Sequence, residues 1–323
     1  MKRLYGILIL SMVVASLVGC DGGSSSSPVA SEAFKQCEGS AITFGEISDN
    51  PNEVKASRQP FASYMAGRLA SYGIECGRVE VVDSTEEMAE LIKNGEVDVY
   101  MDSIYPAMLL SNATGAQPIL RRWRNCDPEY YSVIFTSKDS GITSIEDLPG
   151  HTIAMDQIYS TSGFALPAVY LLDKGLNLVI KDSLDDPPKE NEIGIYISKD
   201  DINTLYLVRD GNVSGGATDD YNLAKWQEEA PGTLVKLAET GALARQVVLV
   251  RSGLNADLQS AIKQEMSNAY LDPTGLSAMM LDAGTCKYDD PPLGIEATFS
   301  QMLEMHNKLI EIPGWQEATF KDQ

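Results

Sequence analysis

Apolar positions along the chain fall into short β-rich runs separated by stretches of helical spacing. Ala41–Phe44, Val79–Val82 and Val97–Met101 are strand-like. Between them, Pro60–Tyr72 places Phe61, Tyr64, Met65 and Leu69 at helical intervals and stops at Gly73. Ser84–Lys93 forms the next helix. Ser84 is placed to cap it, Glu87 completes a capping box, and Asn94-Gly95 ends it. Strand and helix alternating in this way predict a parallel sheet covered by helices. Ligands of such sheets gather at the carboxyl ends of strands, where Gly45-Glu46 and Asp102-Ser103-Ile104-Tyr105 lie.

The pattern then starts again. Tyr130–Thr136 is a β-rich run able to carry the chain out of a first lobe, and Gly141–Gly150 is a turn-rich connection. Thr152–Met155, Ser160–Lys174, Ile193–Ile197, Ile202–Arg209 and Val213–Ala217 make a second alternating unit. Val247–Val250 crosses back, and the helical tail Ala256–Leu271 and Glu296–Leu309 is expected to pack on the first lobe. The reading is an α/β protein of two lobes joined by two extended crossings. Lobe 1 takes residues 37–134 and 246–323, and lobe 2 takes residues 135–245. A chain of 323 residues with 44% apolar content has enough material for two such cores.

The N-terminus reads as a targeting segment over residues 1–19, with Lys2 and Arg3 before the apolar run Leu4–Val18. That run falls short of the roughly 20 residues a spanning helix needs. Leu17-Val18-Gly19-Cys20 before Asp21 resembles a bacterial lipoprotein signal, which implies lipid attachment at Cys20 and a membrane-anchored protein of the periplasm or cell envelope. Residues 20–36, rich in Gly and Ser, read as a tether. Export makes Cys37, Cys76, Cys126 and Cys286 candidates for two disulfides. If the strands that follow Cys37 and Cys76 are parallel neighbours, Cys37–Cys76 is favoured, leaving Cys126–Cys286.

The formal net charge of −21 argues against nucleic acid as a partner. Two histidines, His151 and His306, and no CxxC pair argue against a metal, so neither metal nor cofactor is expected; both histidines are read as solvent-facing. No GxSxG, HExxH, Walker A or dinucleotide fingerprint is present, and an enzyme is not expected. The cluster Arg121, Arg122 and Arg124 around Trp123 reads as a solvated loop face, with bidentate contact to an anion as the alternative.

The strongest chemical signal is Ser160-Thr161-Ser162-Gly163, where a strand gives way to a helix. Hydroxyls there can simply cap the helix. Together with its free N–H groups they can also hold a tetrahedral oxyanion.

In order along the chain, GEVDVYMDSIYPA (Gly95–Ala107), EYYSVIFTSKDSGITSIEDLPGHTIA (Glu129–Ala154), YSTSGFALP (Tyr159–Pro167), GGATDDYNL (Gly215–Leu223) and VVLVRSGL (Val247–Leu254) resemble the phosphate/phosphite/phosphonate group of ABC-transporter substrate-binding proteins. The resemblance implies the type II periplasmic binding-protein fold, a small-molecule anion or zwitterion as ligand, an inner-membrane ABC permease as partner and a monomer. It implies that Ser160, Thr161 and Ser162 grip phosphorus-bound oxygens, that Ser103, Tyr105 and Tyr131 line the cleft, and that Asp219 (or Asp220) meets an amino group or acidic oxygen. Where the group has a histidine, this chain reads Ser198-Lys199-Asp200-Asp201, and Glu46 and Asp102 add carboxylates at strand ends. Those acids suit an aminophosphonate better than phosphate. A sensory binding protein of the same fold and a binder of cationic or zwitterionic solutes remain alternatives.

Overall fold

The computed structural model describes residues 39–48 and 50–316. The expectations for the leader, Cys20, the tether and Cys37 lie outside them. Two six-stranded sheets build the two lobes.

The first sheet runs Tyr288–Asp289, Gln117–Arg122, Gln246–Val250, Val99–Asp102, Ala41–Ile47, Cys76–Val82. Ala41–Ile47 lies parallel to both Cys76–Val82 and Val99–Asp102. Gln246–Val250, the returning strand, is antiparallel to both of its neighbours. The second sheet runs Leu234–Glu239, Ser132–Ser137, Gly215–Asp219, Thr152–Met155, Glu192–Ile197, Asn177–Lys181. Its inner strands Gly215–Asp219, Thr152–Met155 and Glu192–Ile197 are parallel. Between the lobes, Glu129–Tyr130 and Leu243–Ala244 pair antiparallel as a two-stranded hinge.

Local chemistry accounts for the helix boundaries. Ser84 Oγ accepts the Glu87 N–H at 3.3 Å, and Gly95 closes the helix Thr85–Asn94 at φ 77°. The helix expected from Pro60 begins earlier, at Pro51, and runs to Arg68. Its first half looks polar enough for a loop, but Arg58 in it is buried and ion-paired, which holds that half against the lobe. Pro60 therefore sits inside the helix, at the cost of one backbone donor.

The tail departs from expectation. The helix Ile295–Leu309 packs on first-lobe Ile104–Thr114 and also on second-lobe Leu166–Asp173. Lys308 pairs with Asp173, the Ile180 N–H donates to the Pro313 carbonyl at 2.9 Å, and Trp315 stacks obliquely on Phe164. One continuous apolar cluster, with Ile104, Ile153, Phe164 and Met302 among its members, therefore passes through both lobes.

The cysteines divide. Cys76 is disulfide-bonded. Cys126 and Cys286, expected to form a second disulfide, are instead two free thiols. Cys126 lies in a turn at φ 60°, with its sulfur directed at the Gly284 carbonyl. The Cys286 thiol is pushed up to about 12 by burial and by its hydrogen bond with Cys126.

Among the described residues, no helix is long and apolar enough to cross a membrane.

Candidate ligand site in the interlobe cleft

The second lobe's first helix opens with a π turn over Thr161–Ala165 before the α-helix Leu166–Asp173. Pro167 is the cause in the sequence. It has no N–H to give the Gly163 carbonyl four residues back, and that carbonyl instead accepts the Asp156 N–H at 3.2 Å. Ser160 caps the turn, its Oγ accepting the Gly163 N–H at 3.1 Å. Gly163 has to be glycine. A Cβ there would drive into the Asp156 side chain and lie 2.9 Å from Ser160 Oγ.

Thr161 and Ser162 are 1% and 7% exposed, yet both line a cavity of about 140 Å³. Ser103 and Asp102 face it from the first lobe, Asp201 and Asp219 from the second, and Tyr130 from the hinge. Thr161 Oγ1 accepts the Tyr105 N–H at 3.0 Å, a hydrogen bond that ties the lobes together across the cleft. The Tyr130 hydroxyl is held above its usual range by burial and drawn part of the way back by hydrogen bonding to Thr161 and Ser162.

A second cavity of about 250 Å³ shares Asp102 and Asp201 with the first and adds Asp83, Asp156, Lys199 and Asp200. Asp102 accepts the Tyr100 hydroxyl at 2.7 Å and the Ser103 N–H at 2.5 Å, and burial raises its carboxyl. Asp201 accepts Thr218 Oγ1 at 2.7 Å and Asn222 Nδ2 at 3.0 Å. Burial, then the Asp156 charge, lifts Asp201 to about 7. Asp200 caps the helix Asp201–Arg209, so its charge is committed to the Ile202 and Asn203 amides. The cleft thus has a hydroxyl-rich end at a helix start and an acidic end. Among the described residues, no group of three or more His, Cys, Asp or Glu is placed to hold a metal.

The structure brings Ser160, Thr161, Ser162, Ser103 and Asp219 together around the first cavity. Tyr105 and Tyr131 stand elsewhere. Tyr105 has no exposed surface and turns its hydroxyl to His306 Nδ1 at 2.9 Å. Tyr131 is partly buried and packs against the second-lobe cluster that contains Val133 and Leu223. Its neighbour Tyr130 takes the cleft position, because successive residues of an extended chain face opposite ways.

Glu46 does not reach the cleft either. It pairs with Arg58, which also binds Asp282 at 3.1 Å. The arginine cluster is not a solvated face. Arg121 pairs with Glu129 and Asp289, Arg122 with Asp282, and Arg124 alone of the three lines the cavity. Their strand is covered on both sides, so charges there must find partners. His306 is half-buried rather than solvated, and its ring is harder to protonate for that reason. His151 is exposed, as expected, and bonds Ser214. Sequence reasoning passed over Arg245, which follows the hinge strand and lines the first cavity.

Two α/β lobes, a two-stranded hinge and a small polar cavity between them define a solute-binding protein of the type II periplasmic class. The sequence profile of the family described as ABC transporter, phosphonate, periplasmic substrate-binding protein matches residues 44–281, and the chain belongs to that family. The family consists of solute-binding proteins that serve ABC transporters from outside the cytoplasm, not of enzymes.

Among solved structures, the chain is similar to XAC2383 from Xanthomonas citri bound to ATP, with a TM-score of 0.77 and 23% identity over 84% of this chain and 98% of that one. It is also similar to PhnD1 from Prochlorococcus marinus in complex with methylphosphonate, with a TM-score of 0.63 and 14% identity over 84% and 99%. A binding protein of an ABC phosphonate transporter from Pseudomonas aeruginosa follows, with a TM-score of 0.57 and 14% identity over 88% and 99%. At these identities the likeness is one of fold.

Proposed function

We propose that this chain is the solute-binding lipoprotein of an ABC importer, anchored through Cys20 and working as a monomer. Lobe 1 (37–134 and 246–323) and lobe 2 (135–245) close on a small phosphonate that carries an amino group. The observation that carries the reading is the polarity of the cleft: Ser160, Thr161 and Ser162 at one end, Asp102 and Asp201 toward the other. The tetrahedral head takes the hydroxyls and the helix-start N–H groups, as at other helix N-termini. An ammonium at the far end favours the charged forms of Asp102 and Asp201, opposing the desolvation that raises both. Ligand bridging both lobes shifts the open–closed equilibrium toward closure. PhnD1 of Prochlorococcus, solved with methylphosphonate, supports the phosphonate class; the acids select within it.

The test is a thermal-shift and calorimetric screen of phosphate, phosphite, methylphosphonate, 2-aminoethylphosphonate, quaternary amines and ATP. Ligand at 100 times Kd stabilises by about 2.7 kcal/mol. The largest rise in midpoint is expected with 2-aminoethylphosphonate. No response to any phosphorus compound overturns the reading.

A further inference from the structure

Arg245 stands where the chain leaves the hinge strand Leu243–Ala244 and enters the first sheet. It is 5% exposed and lines the cavity shared by Ser160, Thr161 and Ser162. Its guanidinium lies over the Tyr130 ring at 5.1 Å and the Tyr221 ring at 5.9 Å, which fixes its plane. Its ion pair is loose, with Nη2 3.5 Å from Asp219 Oδ2. The other oxygen of Asp219 is occupied by the Asn222 N–H at 2.6 Å. Arg245 Nε is buried and has no hydrogen-bond partner.

A buried guanidinium normally has its donors satisfied, because an unmet one carries its full desolvation cost. Here the guanidinium lies over the Tyr130 and Tyr221 rings, no protein atom accepts its Nε–H, and Asp219 is held back by its own helix cap. A fixed cation with a spare N–H, beside three hydroxyls and a helix start, is matched by an anionic oxygen.

We propose that Arg245 is a ligand-binding residue. Its Nε–H takes an oxygen of the phosphonate head whose remaining oxygens go to Ser160, Thr161 and Ser162. Asp219 then acts as the counter-ion that positions the guanidinium. Because Arg245 is continuous with the hinge, the contact reports head-group occupancy directly to the strand pair about which the lobes turn. The proposal rests on the phosphonate reading of the cleft and adds the cation that reading lacks.

The experiment is isothermal titration of the wild-type protein, Arg245→Gln and Arg245→Lys with methylphosphonate and 2-aminoethylphosphonate. Loss of one charge-assisted hydrogen bond predicts affinity lower by about 10- to 100-fold in Arg245→Gln for both ligands. Partial recovery is expected in Arg245→Lys. In parallel, the Arg245 Nε–H resonance of the wild-type protein, assigned by its absence from Arg245→Lys, is expected to shift on titration with either ligand. That measurement decides the matter even if Arg245→Gln fails to fold. A folded Arg245→Gln that binds within threefold of wild type, or an Nε–H resonance unmoved at saturation, overturns the proposal. A wild-type protein that binds neither phosphonate overturns the functional reading instead.

Discussion

Replacing Asp201 by Asn tests the electrostatics of the acidic end. Asp201 is half-buried, accepts hydrogen bonds from Thr218 and Asn222, and faces the charge of Asp156. Its carboxyl titrates near 7 in the folded protein against an ordinary value of 3.8. The folded state therefore keeps a proton that the unfolded chain has already released at pH 5 or 6. Unfolding in that window releases a proton, so stability falls as pH rises from about 4 to about 7 and stays low above that. At about 1.36 kcal/mol per pH unit, the full penalty is on the order of 4 kcal/mol. Asparagine has no such proton to lose. Its oxygen can take the Thr218 hydroxyl, but its amide meets the Asn222 amide donor to donor, a cost of about 1–2 kcal/mol. Asp201→Asn should thus be more stable than wild type by about 2–3 kcal/mol at pH 8, and slightly less stable at pH 4.5. Urea unfolding followed by circular dichroism at pH 4.5, 6 and 8 measures this. The same stability difference at all three pH values, or a less stable variant at pH 8, shows that Asp201 does not carry a proton into the folded state.

The double variant Ser160→Ala, Thr161→Ala should bind phosphonate about 3–6 kcal/mol more weakly in calorimetry, the value of two hydrogen bonds to a charged group; unchanged affinity removes the oxyanion role. Gly163→Ala forces a methyl against Asp156 and Ser160 and should lower the urea midpoint by the equivalent of about 1–3 kcal/mol. A wild-type midpoint would show that the π turn is not constrained there. Arg58→Met leaves Glu46 and Asp282 short of a buried cation, with an expected loss of about 3–5 kcal/mol at pH 7. The loss should shrink as acid neutralises those carboxylates, and a deficit that grows on acidification contradicts the assignment.

Several parts of this protein could be read from residue order alone, for identifiable reasons. Hydrophobic alternation and the Ser84 and Gly95 punctuation are local signals, and they locate the inner strands and the helix Thr85–Asn94. The helix start at Ser160–Ser162 was legible because hydroxyls in a row at a strand-to-helix junction suit capping, and Ser160 does cap the turn there.

The misplaced tyrosine shows the limit. Tyr130 and Tyr131 are chemically the same, and only pairing of Glu129–Tyr130 with Leu243–Ala244, over a hundred residues away, decides which one faces the cleft. Arg122 looked like surface because its partners Gln246, Asp282 and Thr285 are equally distant in sequence. Arg245 carried no local mark at all. The missing partner of its Nε shows only in three-dimensional packing. The early start of the helix at Pro51 was hidden in the same way, since the buried ion pairs of Arg58 compensate for a polar sequence.

The C-terminal helix gives the molecule a third mechanical link besides the two hinge strands. Ile295–Leu309 rests on both halves, and the segment after it is stitched to the edge strand Asn177–Lys181 through Ile180 and Pro313. A door on two hinges swings freely, whereas one that also carries a stay stops at a set angle. Any widening of the cleft has to carry this stay along or unseat Trp315 from Phe164, which ties the tail to the very turn whose Thr161 and Ser162 line the cavity.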